Sequence, residues 1–414
     1  VLMNTIAVVF EGRSGSSYHR QLTPHAHLSQ MYKDEFKALF FDTFEEITEE
    51  QLKEIQLIQF HRLFGVNEVE EQRIVDLKNK GIAVVLDQDD YWHIPKEIVT
   101  AYTTYQYFGL SEKIRKCIEL ADHVTTTTDF LAAKINELIK ISDVTVIPNS
   151  INQDISQFKP KLKAFDEDFI KFGWIGGISH VTDIASMSES FKRLHKDRDN
   201  IDRWQLVLGG FDMSKENQTI MRIQKNRTLK PEMIKPYETM YGIMERIFTD
   251  EYRLLRGNKY LDYLKFIGRY ERKEFESNIK LPYHRVWCRE VIEYMEIYNE
   301  MDVVFIPMKN IEFNNCKSQL KLLEAGFFGK AVIVSEAYPY TMDAVNDENC
   351  LTVKPGQEHI GFYTAMRKLL NDPTEIQRLG RNLRTHVVEK YNMDKVNKIR
   401  YELYKELIRK KNSN

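Results

Sequence analysis

The chain has 414 residues, 43% hydrophobic, 29% charged and 12% aromatic, a globular usage that excludes a disordered, collagenous or disulfide-stapled protein. That length predicts two or three domains rather than one core. Lys and Arg number 59 against 61 Asp and Glu, so a net charge of -2 leaves no overall footprint for nucleic acid.

The opening run Thr5–Phe10 reads as a short buried parallel strand. A small-residue loop, Glu11–Ser17, and a helical segment from about Pro24 follow. Leu57–Phe60, Ile82–Leu86, His123–Thr127 and Val144–Ile147 are further strand-like runs, separated by helical patterns at Glu68–Lys80, Ile98–Ala121 and Phe130–Ile141. This first unit, residues 1–150, closes at Pro148-Asn-Ser150, and residues 151–168 read as a linker. The alternation then restarts with Phe169–Trp174, Gln205–Leu208, Leu264–Ile267, Val303–Pro307, Ala331–Val334 and Leu351–Val353 as strands. Helices fit Asp183–Leu194, Lys317–Ala325 and Gly361–Leu370, and a helical insertion fits about 211–260. A long periodic stretch from Glu375 to Lys411 breaks near Tyr391, which divides the second unit, 169–392, from a final helix at 393–414. Strands alternating with helices predict two doubly wound α/β domains, Rossmann-like, with the carboxyl ends of both sheets facing one cleft.

The four cysteines, Cys117, Cys288, Cys316 and Cys350, show neither a CxxC pair nor zinc spacing and suit a reducing compartment. No apolar run approaches the roughly 18 residues of a membrane span, and no signal pattern opens the sequence, so a soluble cytoplasmic protein is expected. The charge is uneven: residues 1–150 carry 15 basic and 23 acidic residues, net -8, and the remainder 44 and 38, net +6. An anionic ligand is therefore expected mainly on the second unit.

Four clusters fall at strand ends. Gly12-Arg-Ser-Gly-Ser-Ser-Tyr-His-Arg20 lets backbone approach a ligand, but its spacing is neither a Walker A loop nor a dinucleotide fingerprint. Asp87-Gln-Asp89-Asp90-Tyr-Trp92 crowds three carboxylates, which repel one another and turn to water, metal or hydroxyl-rich ligands; capping of the next helix is the plainer alternative. His61-Arg62 ends the preceding strand on the same edge. Trp174-Ile-Gly176-Gly177-Ile-Ser-His180-Val-Thr-Asp183 sends a strand through a Gly-Gly turn into a helix start, suited to a diphosphate. In Cys316-Lys317-Ser318-Gln-Leu-Lys321-Leu-Leu-Glu324-Ala-Gly326, helical spacing puts Lys317, Lys321 and Glu324 on one face. The plain alternative there is a surface ion pair between Lys321 and Glu324.

This last segment, with a strand directly after it, resembles the donor-binding segment of GT-B glycosyltransferases of the retaining "glycosyl transferases group 1" type. The glycine turn, the Asp-Gln-Asp-Asp cluster, Val146-Ile-Pro-Asn-Ser150 and Asn349–Val353 occur in the order expected of that family. The resemblance implies transfer of a sugar from a nucleotide diphosphate sugar to an acceptor hydroxyl, with no bound metal or further cofactor. Glu324 matches the glutamate that binds the donor ribose, and Lys317 and Ser318 with the Gly176 and Gly177 amides would hold the diphosphate. Asp89 or Asp90 would face the acceptor, and the final helix, 393–414, would cross back onto the first domain. Two positions depart from the pattern: Cys316 stands where many relatives carry a sugar-binding glutamate, and His180 and Asp183 stand near where an Arg and Lys usually follow the glycine turn. Lys317, Lys321 or Arg269 would then supply the cation.

A surface glycan or its lipid-linked precursor is the expected acceptor. Modified DNA is the second choice, disfavoured by the acidic first unit. Basic stretches at Arg222–Lys235 and Arg409–Lys411 leave room for DNA or a peripheral contact with anionic membrane. A non-catalytic nucleotide-sugar-binding protein, or an epimerase or phosphorylase, are rival readings of the same architecture.

Overall fold

The computed structural model describes residues 3–10, 12, 14–64, 68–140, 144–161, 164–210, 244, 246–249, 282–286 and 289–413. Arg269, the run Leu264–Ile267, the stretch Arg222–Lys235 and, apart from Met244 and residues 246–249, the expected insertion lie outside them.

Two six-stranded sheets organise the chain. The first contains β1 (Asn4–Val9), β2 (Phe36–Phe41), β3 (Ile55–His61), β4 (Ala83–Gln88), β5 (His123–Thr126) and β6 (Val144–Val146), in the order β2-β1-β3-β4-β5-β6. The second contains β7 (Ile170–Ile175), β8 (Trp204–Gly209), β9 (Tyr283–Val286), β10 (Val303–Ile306), β11 (Ala331–Ser335) and β12 (Leu351–Val353), in the order β12-β11-β10-β7-β8-β9. All described strand pairs are parallel. Parallel sheets need both faces covered, which is why β4 and β8 are buried along their whole length. In each sheet the order reverses once, between β1 and β3 and between β7 and β10, and the crevices outside those strand ends are where doubly wound folds bind ligands.

Several elements differ from the sequence expectation. Phe36–Phe41 is an edge strand paired to β1 in register Val9↔Phe41, half exposed and broken by Lys37, so its strand pattern is weak. The expected helix Ile98–Ala121 is two, Val99–Phe108 and Leu110–Leu120, because Gly109 takes φ +60°, a left-handed conformation that ends the first. The helix expected over Lys317–Ala325 spans Leu320–Phe327, so Lys317 sits in the turn before it.

The last helix, Met393–Asn412, lies on the first sheet rather than the second. Its Val396, Tyr404, Leu407 and Ile408 join Ile6, Val8, Leu57 and Val85 in one apolar cluster. The chain thus passes between the halves twice, and the two passages touch: Ile151 pairs with Asn392, and Ile151 N–H donates to Tyr391 O at 3.3 Å.

Candidate active site

Both switch points open onto one cavity of about 880 Å³, walled by residues of each half. On the first half, the loop after β1 turns through Gly12 at φ +85°, and Ser14 and Ser17 close a reciprocal cap over the turn Gly15–Ser17. A π-helical turn, Tyr18–Leu22, follows; such turns recur at functional sites, and this one brings His19 and Arg20 to the cavity wall. Arg20 is held in place by Asp87 and a backbone carbonyl. Its Nε and Nη2 donate to Asp87 at 2.9 and 2.6 Å, and Nη1 donates to Ile147 O at 2.7 Å. Asp87, buried at the end of β4, is therefore the anchor of Arg20.

The neighbouring carboxylates divide the work. Arg62, held at φ +63° beyond β3, donates from Nε and Nη2 to both oxygens of Asp89 at 2.6 and 3.0 Å, and His61 Nε2 approaches at 3.1 Å. Burial pushes the Asp89 carboxyl up, but Arg62 and His61 overcome it and hold it well below the usual range. Asp90 is freer, with 31% of its side chain exposed against 11% for Asp89, and its Oδ1 lies 3.9 Å from Lys317 Nζ across the cleft.

On the second half, β7 ends at Ile175 and the chain turns through Gly176 and Gly177. Lys321 Nζ rests over the Trp174 ring, 4.7 Å from its centroid, beside Gly176, where an added Cβ would lie 2.7 Å from that nitrogen. Burial, assisted by Lys317, lowers the Lys321 ammonium to about 8 against the pull of Asp183 and Glu324. His180 is carried down to about 4, first by burial and then by Lys321 and Lys317, so it is neutral at physiological pH. Its Nδ1 lies 2.9 Å from Asp183, which also accepts from Lys309 N–H at 3.0 Å and Asn314 at 3.1 Å. His180 thus offers the cavity no positive charge, and among the described residues the cations on this wall are Lys317, Lys321 and Arg289.

Glu324, on the helix Leu320–Phe327, is buried. The Tyr294 and Tyr298 hydroxyls donate to its two oxygens, Tyr298 at 2.7 Å. Ser318 Oγ accepts from Asn149 Nδ2 at 2.8 Å, a bond between the halves that leaves the serine O–H able to donate into the cavity. Gly176, Gly177, His180, Lys317, Ser318, Lys321, Glu324, Asp89 and Asp90 all line the one cavity. Lys321 and Glu324 are not a surface ion pair: one covers Trp174 and the other is taken by tyrosines.

Cys316 does not reach the cavity. It is fully buried with Phe313 in the first half's apolar cluster, and burial pushes its thiol up to about 12. The same segment is pinned to the first half by Glu312, which accepts from Tyr91 at 3.0 Å and pairs with Lys134 at 2.9 Å. Among the described residues no group of three or more His, Cys, Asp or Glu side chains is placed to hold a metal ion, and no helix is long and apolar enough to cross a membrane.

No protein-family model matches the sequence, and no curated protein matches it significantly. Solved structures do share its architecture. Sucrose-phosphate synthase from Thermosynechococcus elongatus aligns over 98% of this chain and 99% of its own at a TM-score of 0.58 and 15% identity. A glycosyltransferase from Rickettsia africae ESF-5 aligns over 98% of each chain at 0.57 and 11%. Anabaena HepE, solved in complex with UDP and glucose, aligns over 98% of this chain and 100% of its own at 0.52 and 10%. The fold is therefore of the GT-B type, two Rossmann-like domains facing a cleft. Its structural neighbours are GT-B glycosyltransferases.

His19 and Arg20 lie within the strand-end cluster Gly12–Arg20, whose pattern marks the loop without distinguishing these two side chains, and Tyr294, in a run of tyrosines and glutamates, reaches Glu324 only through the fold.

Proposed function

We propose that the protein is a glycosyltransferase that moves a sugar from a nucleotide diphosphate sugar to an acceptor hydroxyl, with retention at the anomeric carbon. The observation that carries this reading is one cavity with Glu324, Lys317, Lys321 and the Gly176-Gly177 turn on one wall and Asp90 on the other. Glu324 accepts hydrogen bonds from the donor ribose. Lys317, Lys321, the Ser318 hydroxyl and the Gly176 and Gly177 amides neutralise the departing diphosphate, where preorganised charge contributes most to such a reaction, and they take the part a bound metal plays elsewhere. Asp90 faces the acceptor hydroxyl, held in place by the Asp89–Arg62 pair beside it. HepE holds UDP and glucose on the same architecture, which supports a nucleoside diphosphate here.

For the acceptor, a surface glycan or its lipid-linked precursor fits better than modified DNA. The first 150 residues carry net -8. Moreover, Lys410 and Lys411 at the basic tail are paired with Glu406 and Asp122, which reduces its reach for DNA phosphates or anionic lipid.

The test is a turnover and thermal-shift screen against UDP-, GDP-, ADP- and CMP-sugars with Glu324→Ala and Lys317→Ala. Stabilisation or slow hydrolysis of one donor, lost in both variants, is expected. A well-folded protein indifferent to every nucleotide sugar would overturn the reading.

A further inference from the structure

His19 takes no part in the reaction outlined above, yet it reaches across the cleft to the donor carboxylate. Its Nε2 is hydrogen-bonded to the Tyr294 hydroxyl and lies 3.4 Å from Glu324 Oε1. The tyrosine hydroxyl donates in turn to that same oxygen. His19 and Glu324 are both almost wholly buried, at 1% and 5% side-chain exposure, and the rings of Tyr18, Phe158 and Tyr294 pack around the imidazole.

Donor and acceptor roles follow from chemistry. An ionised carboxylate only accepts, so the Tyr294 proton goes to Glu324. Burial and the adjacent Glu324 raise the Tyr294 phenol well above its ordinary value, which keeps that proton in place. The Tyr294 oxygen is then free to accept, and His19 Nε2–H is its donor. Nδ1 is left as a bare lone pair, and it is indeed without a partner among the described residues. The chain of bonds runs in one direction, from His19 through Tyr294 to Glu324. A carboxylate offers about four lone-pair positions. Tyr294 fills one on Oε1 and Tyr298 one on Oε2, leaving one on each oxygen, a pair that suits the two neighbouring hydroxyls of a ribose.

We propose that His19 is a positioning residue for the nucleoside end of the donor pocket: acting through Tyr294, it fixes Glu324 to receive a ribose diol, so that the first domain takes part in donor binding. The inference rests on the donor-site reading given above. It differs in placing a requirement for nucleotide affinity on the acceptor-side half of the molecule.

The experiment is calorimetric titration of the full chain with UDP, GDP, ADP and CDP, then of the tightest binder against its 2′-deoxy counterpart. Wild type, His19→Ala, His19→Gln, Tyr294→Phe and the double variant His19→Ala/Tyr294→Phe are compared, each checked for folding by circular dichroism. The wild type is expected to prefer the ribonucleotide by about tenfold, the worth of one hydrogen bond to a buried charge. His19→Ala and Tyr294→Phe each weaken the ribonucleotide several-fold and shrink that preference, while the double variant is no weaker than Tyr294→Phe alone. His19→Gln, which restores an N–H, recovers part of the loss. Unchanged affinity and ribose preference in His19→Ala, or losses that add in the double variant, overturn the inference while leaving the donor site intact, provided Glu324→Ala still abolishes binding. If the wild type binds none of the four diphosphates, the donor-site reading and this inference fall together.

Discussion

Asp90 Oδ1 lies 3.9 Å from Lys317 Nζ, so the acidic loop after β4 and the turn before the helix Leu320–Phe327 meet across the cleft. The pair sets a carboxylate of the first half against a cation of the second, with Asp89 behind it tied to Arg62.

Asp89 and Asp90 are adjacent but should fail in different ways. Asp90→Asn removes a partly exposed carboxylate and should change stability by about 0.5 kcal/mol or less while lowering transfer about 100-fold or more. Asp89→Asn leaves Arg62 short of its bidentate partner and should cost about 1–3 kcal/mol. Urea unfolding and initial-rate measurements on both variants separate the two. Equal losses of stability would contradict this division of roles.

Lys321 gives the proposed donor site a pH dependence. With its ammonium lowered to about 8 from 10.5, the folded protein holds fewer protons than the unfolded chain between those values, so this group makes stability rise with pH there. Diphosphate affinity should move oppositely, declining from pH 7 to 9 as the cation is lost. Lys321→Arg, charged throughout, should flatten the decline in a titration series; a slope unchanged by the substitution would assign it to another group.

The two glycines of the turn after β7 are not equivalent. A Cβ at Gly176 would lie 2.7 Å from Lys321 Nζ and 2.8 Å from a Trp174 ring atom, whereas one at Gly177 meets nothing within 4 Å. Gly176→Ala should therefore displace Lys321 from Trp174 and weaken nucleotide binding about tenfold, the effect of one charge-assisted contact. Gly177→Ala should leave the melting temperature within a degree or two of wild type. Comparing melting temperature and nucleotide affinity for the two variants checks both statements.

Cys316→Glu would put a carboxylate where many proteins of similar sequence pattern carry one, but the position here is sealed among apolar side chains of the first half. The expected result is a loss on the order of 3 kcal/mol from an unpaired buried charge, with no gain in transfer rate. A stable, more active variant would mean that the segment can swing its side chain into the cavity.

Much of this arrangement was legible in the sequence because it depends on short-range pattern. Ala83–Gln88 reads as a buried strand, and the acidic cluster at its end must then sit at the sheet edge. Lys321 and Glu324 reach the cavity by helical spacing alone. The different settings of Asp89 and Asp90 were not legible, since they depend on Arg62 reaching both oxygens of Asp89. Nor was His19–Tyr294, whose partners are 275 residues apart and meet only when the two sheets face each other. The edge strand Phe36–Phe41 is hard to read for a local reason: its apolar run Ala38–Phe41 neither alternates like a half-exposed strand nor is buried like a central one, with Phe40 exposed.

The pairing of Ile151 with Asn392 gives the molecule a hinge of a particular kind. With both passages of the chain side by side, the halves are joined along a line rather than at a point. Rotation about that line leaves the pairing intact, while sliding or twisting one half over the other would shear it. Any opening about that line has to draw Phe313 and Cys316 out of the first half's apolar cluster and part Glu312 from Tyr91 and Lys134. A proteolytic cut in the first passage would leave the first sheet held to the rest of the molecule by noncovalent contacts alone, the packing of the helix Met393–Asn412 against it among them, whereas a cut in the second would free that helix alone.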